Sequence, residues 1–205
     1  MTISIREKMN SGKIYTDLGE GLPEERLHCK ELVYDYNFTR PSEEEKREQL
    51  LREIFGSVGK DPWIEPPMHL AYGNRTYIGD NFYANFNLVI VDDIDVHIGN
   101  NVMIAPNVTI SATGHPVHPE LRPNGDQFSF PIKIEDRVWI GSNVVILPGI
   151  TIGKNSVIGA GSIVTKDIPA NVIAVGNPCK VLRPISDKDK EYYYKDYKVD
   201  NFLVK

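Results

Sequence analysis

Aliphatic side chains recur every six residues through the second half of the chain. Counting from Ile134, the sequence divides into the blocks IEDRVW, IGSNVV, ILPGIT, IGKNSV, IGAGSI, VTKDIP and ANVIAV. Each block begins with an aliphatic residue or alanine, and its fifth position is aliphatic or small: Val138, Val144, Ile150, Ser156, Ser162, Ile168 and Ala174. A period of six matches neither the 3.6-residue repeat of a helix nor the alternation of a strand. It predicts a solenoid in which each block forms a short strand and a turn.

Turn-forming residues occupy fixed positions in these blocks. Glycine at the second position and Asn or Gly at the fourth suit corners with a tight or left-handed backbone; these residues are Gly141, Gly153, Gly159, Asn143, Asn155 and Gly161. The repeat also occurs earlier, in IGDNFY and ANFNLV from Ile78 and, after an eight-residue block, in IGNNVM, IAPNVT and ISATGH from Ile98. An antiparallel sandwich would need longer alternating strands and hairpin turns, so the pattern disfavours it.

The first 60 residues follow a helical pattern instead. One helix is predicted from Pro23 to Phe38, with the proline in its first turn. A second is predicted after Ser42, where Ser-Glu-Glu-Glu fits a capping box and one helical face carries Leu50, Leu51, Ile54 and Phe55. We therefore divide the chain into a helical cap (1–60), a solenoid body (61–185) and a polar tail (186–205). The tail is expected to lie against the body or a neighbouring subunit.

Composition and charge narrow the classes of function. The 205 residues are 41% hydrophobic and 25% charged, as in one globular domain with a small appendage. A net charge of −5 argues against non-specific binding to nucleic acid or anionic membranes. The start, MTISIREKMN, has no apolar signal region, and no apolar run is long enough to span a bilayer, so a cytoplasmic protein is expected. Cys29 and Cys179 lack a metal-type spacing and are expected to be reduced thiols.

A proline-containing loop interrupts the repeat between ISATGH and Ile134. Loops that project from a rigid scaffold often carry function, and His115 and His118 lie at the start of this one. Histidine suits the role of general base when a hydroxyl attacks a thioester. Backbone N–H groups at a coil corner can stabilise the resulting oxyanion. From the residues by themselves, a structural role is the more common one for a histidine.

Several segments resemble the hexapeptide-repeat acyltransferases, and the resemblance covers nearly the whole chain. GKIYTDLGEGLPEERLHCKELVYDYN is similar to the helical cap of sugar O-acetyltransferases, and YANFN and TGHPVHPELR are similar to galactoside O-acetyltransferases and their maltose-acetylating relatives. IGAGSIVTKDIP is shared more widely and indicates little about the substrate. The resemblance implies a mainly-β fold, a left-handed parallel β-helix with an N-terminal helical cap and a protruding loop. It also implies acetyl transfer from acetyl-CoA to a small sugar by a homotrimer whose active sites lie between subunits.

The resemblance also implies roles for individual residues. His115, in the TGHP motif, matches the general base, whereas His118 is expected to be structural. The acceptor-binding positions of the family match Asp17, Asn85 and Asp93. Galactoside enzymes carry a serine before the Tyr-Gly pair where this chain has Ala71, so one hydroxyl contact to a galactoside is missing.

Positions that match the family's acetyl-CoA site lie in the later repeats. The resemblance implies that coenzyme A contacts Ser142, Ala160, Thr165, Lys166, Lys180 and Arg183. The basic members of this set would supply the local positive charge that an acidic protein needs to hold an anionic coenzyme. Lys180 stands where arginine is common, which keeps the charge but loses bidentate geometry. No metal is expected.

Other classes of function stay open at this stage. Trimeric metal-dependent carbonic anhydrases share the fold and need three histidine ligands, nominally His97, His115 and His118 here. A non-catalytic solenoid is a second alternative. A serine acetyltransferase is a third, although its N-terminal helical region differs. The acceptor could be a galactoside, a glucoside, maltose or a molecule that is not a sugar.

Overall fold

The computed structural model describes residues 3–200; positions 1, 2 and 201–205 lie outside that range. The helical cap contains α1 (Ile5–Asn10), α2 (Leu22–Asn37) and α3 (Glu44–Ile54), and a short helix, α4 (Lys188–Glu191), lies in the tail. The helices predicted after Pro23 and Ser42 are confirmed, whereas α1 was not predicted. Its six residues are too few for a periodic pattern to be recognised.

Most of the remaining chain forms very short strands. In chain order they are β1 (Ser57–Val58), β2 (Trp63–Ile64), β3 (Met68–Leu70), β4 (Thr76–Ile78), β5 (Tyr83–Ala84), β6 (Leu88–Val91), β7 (Val96–Ile98), β8 (Met103–Ile104), β9 (Thr109–Ser111), β10 (Thr113–Gly114), β11 (Phe128–Ser129), β12 (Ile132–Ile134), β13 (Trp139–Ile140), β14 (Val145–Ile146), β15 (Thr151–Ile152), β16 (Val157–Ile158), β17 (Ile163–Val164), β18 (Val172–Val175), β19 (Lys180–Pro184), β20 (Tyr192–Tyr194) and β21 (Tyr197–Lys198). Strands this short cannot form a sandwich, because each would bury too little surface against a facing sheet.

The strands stack into three parallel sheets, which the chain visits in turn. Sheet I has the order β1-β4-β7-β12-β15, sheet II has β2-β5-β8-β13-β16-β18-β19, and sheet III has β3-β6-β9-β14-β17. Each strand pairs with the strand one coil away, as in Tyr77↔His97 of sheet I. Only β19 at the end of sheet II runs antiparallel. The solenoid predicted from the six-residue period is a triangular parallel β-helix.

The burial and backbone conformation of the repeat positions follow the period of six at the first, fourth and fifth residues of the blocks. The first and fifth residues of the blocks point into the prism, where Ile140, Val144 and Ile146 are fully buried. At the fourth positions, Asn143, Asn155 and Gly161 adopt a left-handed backbone with φ of 59°, 63° and 72°. The glycines at the second position serve another purpose: a Cβ added to Gly153 would lie 2.4 Å from the backbone nitrogen of Ala170. These glycines permit close stacking of coils, and the expectation of a left-handed turn there is wrong.

The capping box predicted at Ser42 does not form. Glu43 is the N-cap of α3, and its carboxylate accepts a hydrogen bond from the backbone N–H of Arg40 at 2.6 Å. A capping box does form in α1, where Ser4 and Glu7 each accept a hydrogen bond from the backbone N–H of the other. The capping box of this chain is therefore at the N-terminus of α1 and not at that of α3.

The helical cap packs on the first coils of the solenoid and shares its core. Tyr36 of α2 is buried and donates a hydrogen bond from its hydroxyl to the carbonyl oxygen of Ile64 at 2.6 Å. Leu51 and Ile54 of α3 belong to the same apolar cluster as the interior of the prism. Burial of this cap face covers the open end of the β-helix, which would otherwise expose the apolar interior.

The proline-containing loop leaves the prism at one corner. Strands β10 and β11 pair antiparallel at its base, with Gly114 opposite Phe128, and the coil resumes at β12 (Ile132–Ile134), near Ile134 as predicted. The described part of the tail forms α4 and the β20–β21 hairpin, in which Tyr193, Tyr194 and Tyr197 are exposed. No helix within residues 3–200 is both long and apolar enough to cross a bilayer.

Candidate active site

Several of the predicted site residues follow the carboxyl ends of sheet III strands. We call this edge of the prism, where the chain passes from sheet III to sheet I, the III–I corner. Ala71 follows β3, Asp93 follows β6, Thr113 follows β9, and Thr165 follows β17. Because parallel strands stack about 4.8 Å apart, these positions form a column along one edge, and the projecting loop leaves from its middle.

His115 lies at the base of the loop with its ring exposed. Its Nδ1 is 2.9 Å from the backbone carbonyl oxygen of Asp126 on the returning strand of the loop. A carbonyl oxygen can only accept, so Nδ1 carries the proton in this bond. The neutral ring then has an unprotonated Nε2, which is the atom that could accept a proton from a substrate.

Asp93 is almost completely buried beneath the loop. Its Oδ1 accepts a hydrogen bond of 2.7 Å from Nε2 of Gln127, and the hydroxyl oxygen of Tyr15 lies 3.5 Å away. Burial raises the pKa of Asp93 above its usual range, hydrogen bonds from Thr113 and Gln127 oppose that rise, and the nearby Asp17 adds to it. The site therefore holds a desolvated carboxylate that is partly compensated by neutral donors.

Asp17 reaches the same region from the segment between α1 and α2. Its carboxylate forms an ion pair of 2.7 Å with Arg26 of α2. The guanidinium of Arg26 also donates to the Tyr72 hydroxyl at 2.7 Å and lies over the Tyr72 ring, 5.7 Å from its centre. Asp17, Asp93 and His115 are thus gathered at the III–I corner, with Arg26 and Tyr72 holding the Asp17 side.

Asn85 and two of the predicted coenzyme residues lie on a different edge. Asn85 follows β5, Ser142 follows β13, and Ala160 follows β16, all strands of sheet II. We call this edge the II–III corner. Its backbone bonds connect successive coils, with Asn85 N–H donating to Ile104 O at 2.8 Å. Within one chain, Asn85 is separated from His115 by the width of sheet III.

The remaining predicted coenzyme residues lie toward the C-terminal end of the prism. Thr165 and Lys166 follow β17 on the III–I corner, whereas Lys180 and Arg183 lie on the antiparallel strand β19 of sheet II. All four are exposed. The Arg183 guanidinium forms two hydrogen bonds to Asp189 of α4, at 2.6 and 2.8 Å. Lys166 therefore lies on the III–I corner, whereas Lys180 pairs with Val175 at the end of β18 and Arg183 with Ile173 near its start.

The three histidines of the metal hypothesis do not converge. His97 lies on the outer face of sheet I and stacks on Tyr77 with 4.8 Å between ring centres. His118 accepts a hydrogen bond of 3.3 Å from Glu120 N–H at the start of a 3₁₀ turn. Among the described residues, no group of three His, Cys, Asp or Glu side chains is placed to hold a metal ion. This geometry disfavours the carbonic anhydrase alternative.

Residues of the site that were not predicted from the sequence include Tyr15, Arg26, Tyr72 and Gln127. Tyr15 and Gln127 are 112 positions apart, and the backbones of the two residues form reciprocal N–H···O bonds of 2.9 Å. Nothing in the six-residue period indicates such a pairing, because both residues lie outside the repeat. The one available signal for Tyr15 was its place in YTDLGEG, two positions before the predicted Asp17.

Comparison with known proteins reveals close relatives over the whole chain. Residues 8–59 match the family model described as the maltose acetyltransferase hexapeptide capping motif, and residues 131–166 match the hexapeptide repeat of succinyl-transferase. The galactoside O-acetyltransferase of Escherichia coli (strain K12) is 62% identical, with 98% of this chain and 99% of that protein covered. The chain belongs to the hexapeptide-repeat sugar O-acetyltransferases. The galactoside O-acetyltransferase of Lactococcus lactis is 43% identical, with 95% of this chain and 94% of that protein covered.

Solved structures agree with this family assignment. A galactoside acetyltransferase in complex with coenzyme A superimposes with a TM-score of 0.96 over 98% of this chain and all of that one, at 62% identity. A maltose O-acetyltransferase from Clostridium difficile 630 gives a TM-score of 0.88 at 49% identity, covering 91% of this chain. The predicted fold class, a left-handed parallel β-helix with a helical cap and a protruding loop, is confirmed. The prediction of an acetyltransferase is also confirmed, and the non-catalytic solenoid is excluded.

Proposed function

We propose that this acetyltransferase transfers an acetyl group from acetyl-CoA to a hydroxyl of a small sugar, a galactoside or a maltose-like acceptor, with His115 as general base. The observation that carries the proposal is the 2.9 Å contact between His115 Nδ1 and Asp126 O, which leaves Nε2 unprotonated on an exposed ring. Nε2 removes the proton of the acceptor hydroxyl as its oxygen attacks the thioester carbon. The C–S bond then breaks, and the proton passes to the thiolate of coenzyme A.

The acceptor hydroxyls are recognised by carboxylates beside His115. Asp93 uses Oδ1 for Gln127, so Oδ2 is the oxygen assigned to a sugar hydroxyl. Asp17 is held by Arg26 on one side and presents its remaining lone pairs to a second hydroxyl. Hydrogen bonds to charged acceptors are among the stronger ones in proteins, which suits a small, highly hydrated ligand.

Acetyl-CoA is the donor, and we assign it to the groove that runs along the prism above the loop. Ser142 and Ala160 would contact the pantetheine arm, and Thr165, Lys166, Lys180 and Arg183 the nucleotide end. Ser142 and Ala160 lie on the II–III corner, Thr165 and Lys166 on the III–I corner, and Lys180 and Arg183 on β19. One coenzyme molecule can contact both groups if the II–III corner of one subunit faces the III–I corner of the next.

The outer faces of the prism support such an assembly, a homotrimer. Sheet I carries polar side chains outward, including His97 and Lys133, whereas sheet II presents Met103 and Trp139 and sheet III presents Val89 and Val145. Met103 and Trp139 are about half exposed, at 51% and 49%. Exposed apolar faces mark protein contacts, and a three-fold arrangement in which the II–III corner of one chain faces the III–I corner of the next places Asn85 of each chain opposite His115 of another.

A thiol-release assay with acetyl-CoA and a panel of galactoside, glucoside, maltose and serine tests this function. We expect sugars to be acetylated and serine not. In His115→Ala, turnover should fall by roughly two to four orders of magnitude, the usual effect of losing a positioned base, with the KM for acetyl-CoA nearly unchanged. His118→Ala is the matched control on the same loop and should keep at least half of wild-type turnover. A His115→Ala variant that keeps a third of the activity would place the base elsewhere.

A further inference from the structure

The N-terminal segment and the loop are joined at one peptide unit that also contacts His115. The carbonyl of Asp126 accepts from His115 Nδ1 at 2.9 Å, and the N–H of the same peptide, on Gln127, donates to Tyr15 O at 2.9 Å. The N–H of Tyr15 in turn donates to Gln127 O, also at 2.9 Å. Hydrogen bonds in such a chain polarise and strengthen one another. The segment that carries Tyr15 therefore fixes the peptide unit to which His115 is hydrogen-bonded.

The side chains of Tyr15 and Gln127 continue this connection into a buried polar network. Gln127 Nε2 donates one hydrogen bond to Asp93 Oδ1, at 2.7 Å, and one to the Tyr15 hydroxyl, at 3.1 Å. The Tyr15 hydroxyl lies 2.6 Å from Ser129 Oγ, which is 2.9 Å from Thr113 Oγ1. Tyr15 is 1% exposed and Gln127 is 6% exposed. Among the described residues, no buried side-chain nitrogen or oxygen atom lacks a hydrogen-bond partner, and a buried network whose atoms are paired in this way favours a single arrangement.

We propose that Tyr15 and Gln127 are positioning residues that hold Asp93 and His115 in register, so that acceptor binding and base placement depend on one clamp. The clamp consists of the paired backbones of these two residues and their side chains on Asp93. The inference rests on the proposed function in taking Asp93 as an acceptor ligand and His115 as the base. It goes further by assigning the geometry of both to a pair of residues outside the repeat.

The physical reason lies in the burial of Asp93. A desolvated carboxylate without fixed donors would protonate or rotate to find water. The Gln127 amide binds Oδ1 and so fixes the rotation of the carboxylate, on whose other oxygen the proposed acceptor contact depends. Arg26 and Asp17 are the charged groups on the cap side of Asp93, and Tyr72 and Tyr15 are the ionisable groups there; neutral donors from the loop and from Thr113 complete the surroundings. Loss of the amide should therefore disturb acceptor binding first.

Steady-state kinetics of the full-length enzyme test the clamp. In Gln127→Met, which keeps the length of the side chain but removes both donors, the KM for the acceptor should rise about tenfold or more, since the lost bond is to a charged group. The KM for acetyl-CoA should stay within twofold. Tyr15→Phe should raise the acceptor KM several-fold. The double variant should be less impaired than the product of the two single effects, because both changes break the same network.

Controls separate the clamp from general damage. Tyr36→Phe removes another buried tyrosine hydroxyl, one bonded to Ile64 O at 2.6 Å, and should leave both KM values unchanged. If Gln127→Met does not fold, Gln127→Asn keeps an amide that is too short to reach both partners and should give the same KM pattern. An acceptor KM within twofold of wild type in the folded variant, or an equal rise for acetyl-CoA, overturns the clamp.

Asp93→Ala, measured alongside, shows which proposal has failed. If Asp93→Ala raises the acceptor KM and Gln127→Met does not, the acceptor role of Asp93 stands and the clamp is wrong. If Asp93→Ala leaves the acceptor KM unchanged, the assignment of Asp93 and the clamp built on it are both wrong. A rise in both variants supports both proposals.

Discussion

At the scale of the residue, the burial of Asp93 affects the stability of the folded state. Its carboxylate is buried under the loop, and burial raises its pKa above the usual range. In the unfolded chain the same carboxyl ionises near its ordinary value of 3.8, so the folded state binds a proton more tightly. Folding is therefore penalised once the pH exceeds the unfolded pKa, and the penalty is complete above the folded pKa.

Asp93→Asn should accordingly be more stable than wild type at pH 7.5, because it removes a desolvated charge. The advantage should shrink as the pH falls through the folded pKa toward 3.8, since wild type then regains the proton. Urea unfolding of both proteins at equal concentration between pH 4 and pH 8 measures this. A stability difference that does not change with pH would show that the Asp93 carboxylate carries no such penalty. Activity should move in the opposite direction, as is common for residues of an active site.

Ala71 is the residue whose departure from the galactoside pattern bears on the acceptor. It is half-buried beside the small apolar cluster of Met9, Tyr15, Leu22 and Tyr72, next to the ring that Arg26 contacts. In Ala71→Ser the added hydroxyl should improve kcat/KM for a galactoside relative to a glucoside by about two- to tenfold, as expected for one neutral hydrogen bond. Measuring both acceptors with both enzymes gives the ratio. An unchanged ratio would mean that Ala71 does not determine the choice of acceptor and would assign that choice to the loop from Pro116 to Phe130.

At the scale of elements, the glycines of the repeat have two different roles. Gly153 approaches the next coil so closely that a Cβ would lie 2.4 Å from Ala170 N, whereas nothing lies within 4 Å of a Cβ at Gly161, where φ is +72°. The first glycine is required by packing. The second is required only by backbone conformation, and at equivalent corners that conformation is met by Asn143 and Asn155.

Asparagine substitutions separate these two roles. Gly161→Asn should change the free energy of unfolding by less than about 1 kcal/mol, because asparagine tolerates the left-handed region. Gly153→Asn should destabilise by about 1–3 kcal/mol or more, because a side chain is forced against backbone that cannot move away. Denaturant unfolding of the two variants tests the contrast. Equal losses would mean that coil spacing adapts more readily than the stacked ladder suggests.

For the whole molecule, the proposed trimer depends on the outer faces of the prism. His97 and Met103 lie on successive strands of one coil, the first on polar sheet I and the second, 51% exposed, on apolar sheet II. Wild type should have a solution mass about three times the chain's 23.1 kDa, and Met103→Glu should weaken the trimer because it buries a charge in an apolar contact. His97→Glu is the matched control and should remain trimeric. Light scattering of all three decides this, and a monomeric, active wild type would contradict the trimer.

Assembly also bears on the coenzyme site as a whole. Ser142 and Ala160 on the II–III corner and Lys166 on the III–I corner face different directions from one prism. Under the proposed function, each chain therefore contributes residues to two coenzyme sites. In the proposed trimer, activity and assembly should be lost together when sheet II is altered, whereas changes at His115 should abolish activity without changing the mass.

Much of this architecture follows directly from the sequence. The period of six predicts the coil because each inward position, such as Ile140 or Val144, needs only its own block and its neighbours to be buried. The left-handed corners at Asn143 and Asn155 follow for the same local reason. The motif around His115 and the capping segment identified the family, since both are continuous stretches of sequence.

The arrangement of the site was decided by the tertiary structure. Tyr15 and Gln127 meet across 112 positions, and neither belongs to the repeat, so no period or spacing connects them. Likewise, the sequence predicts Asn85 and His115 as parts of one site, but the coil places them on different corners. Asn85 follows a strand of sheet II, whereas His115 lies at the base of the loop that follows sheet III. The burial that raises the pKa of Asp93 arises only when the cap, the coil and the loop pack around it. The local six-residue pattern determined the coil, and long-range packing determined which side chains meet at the candidate site.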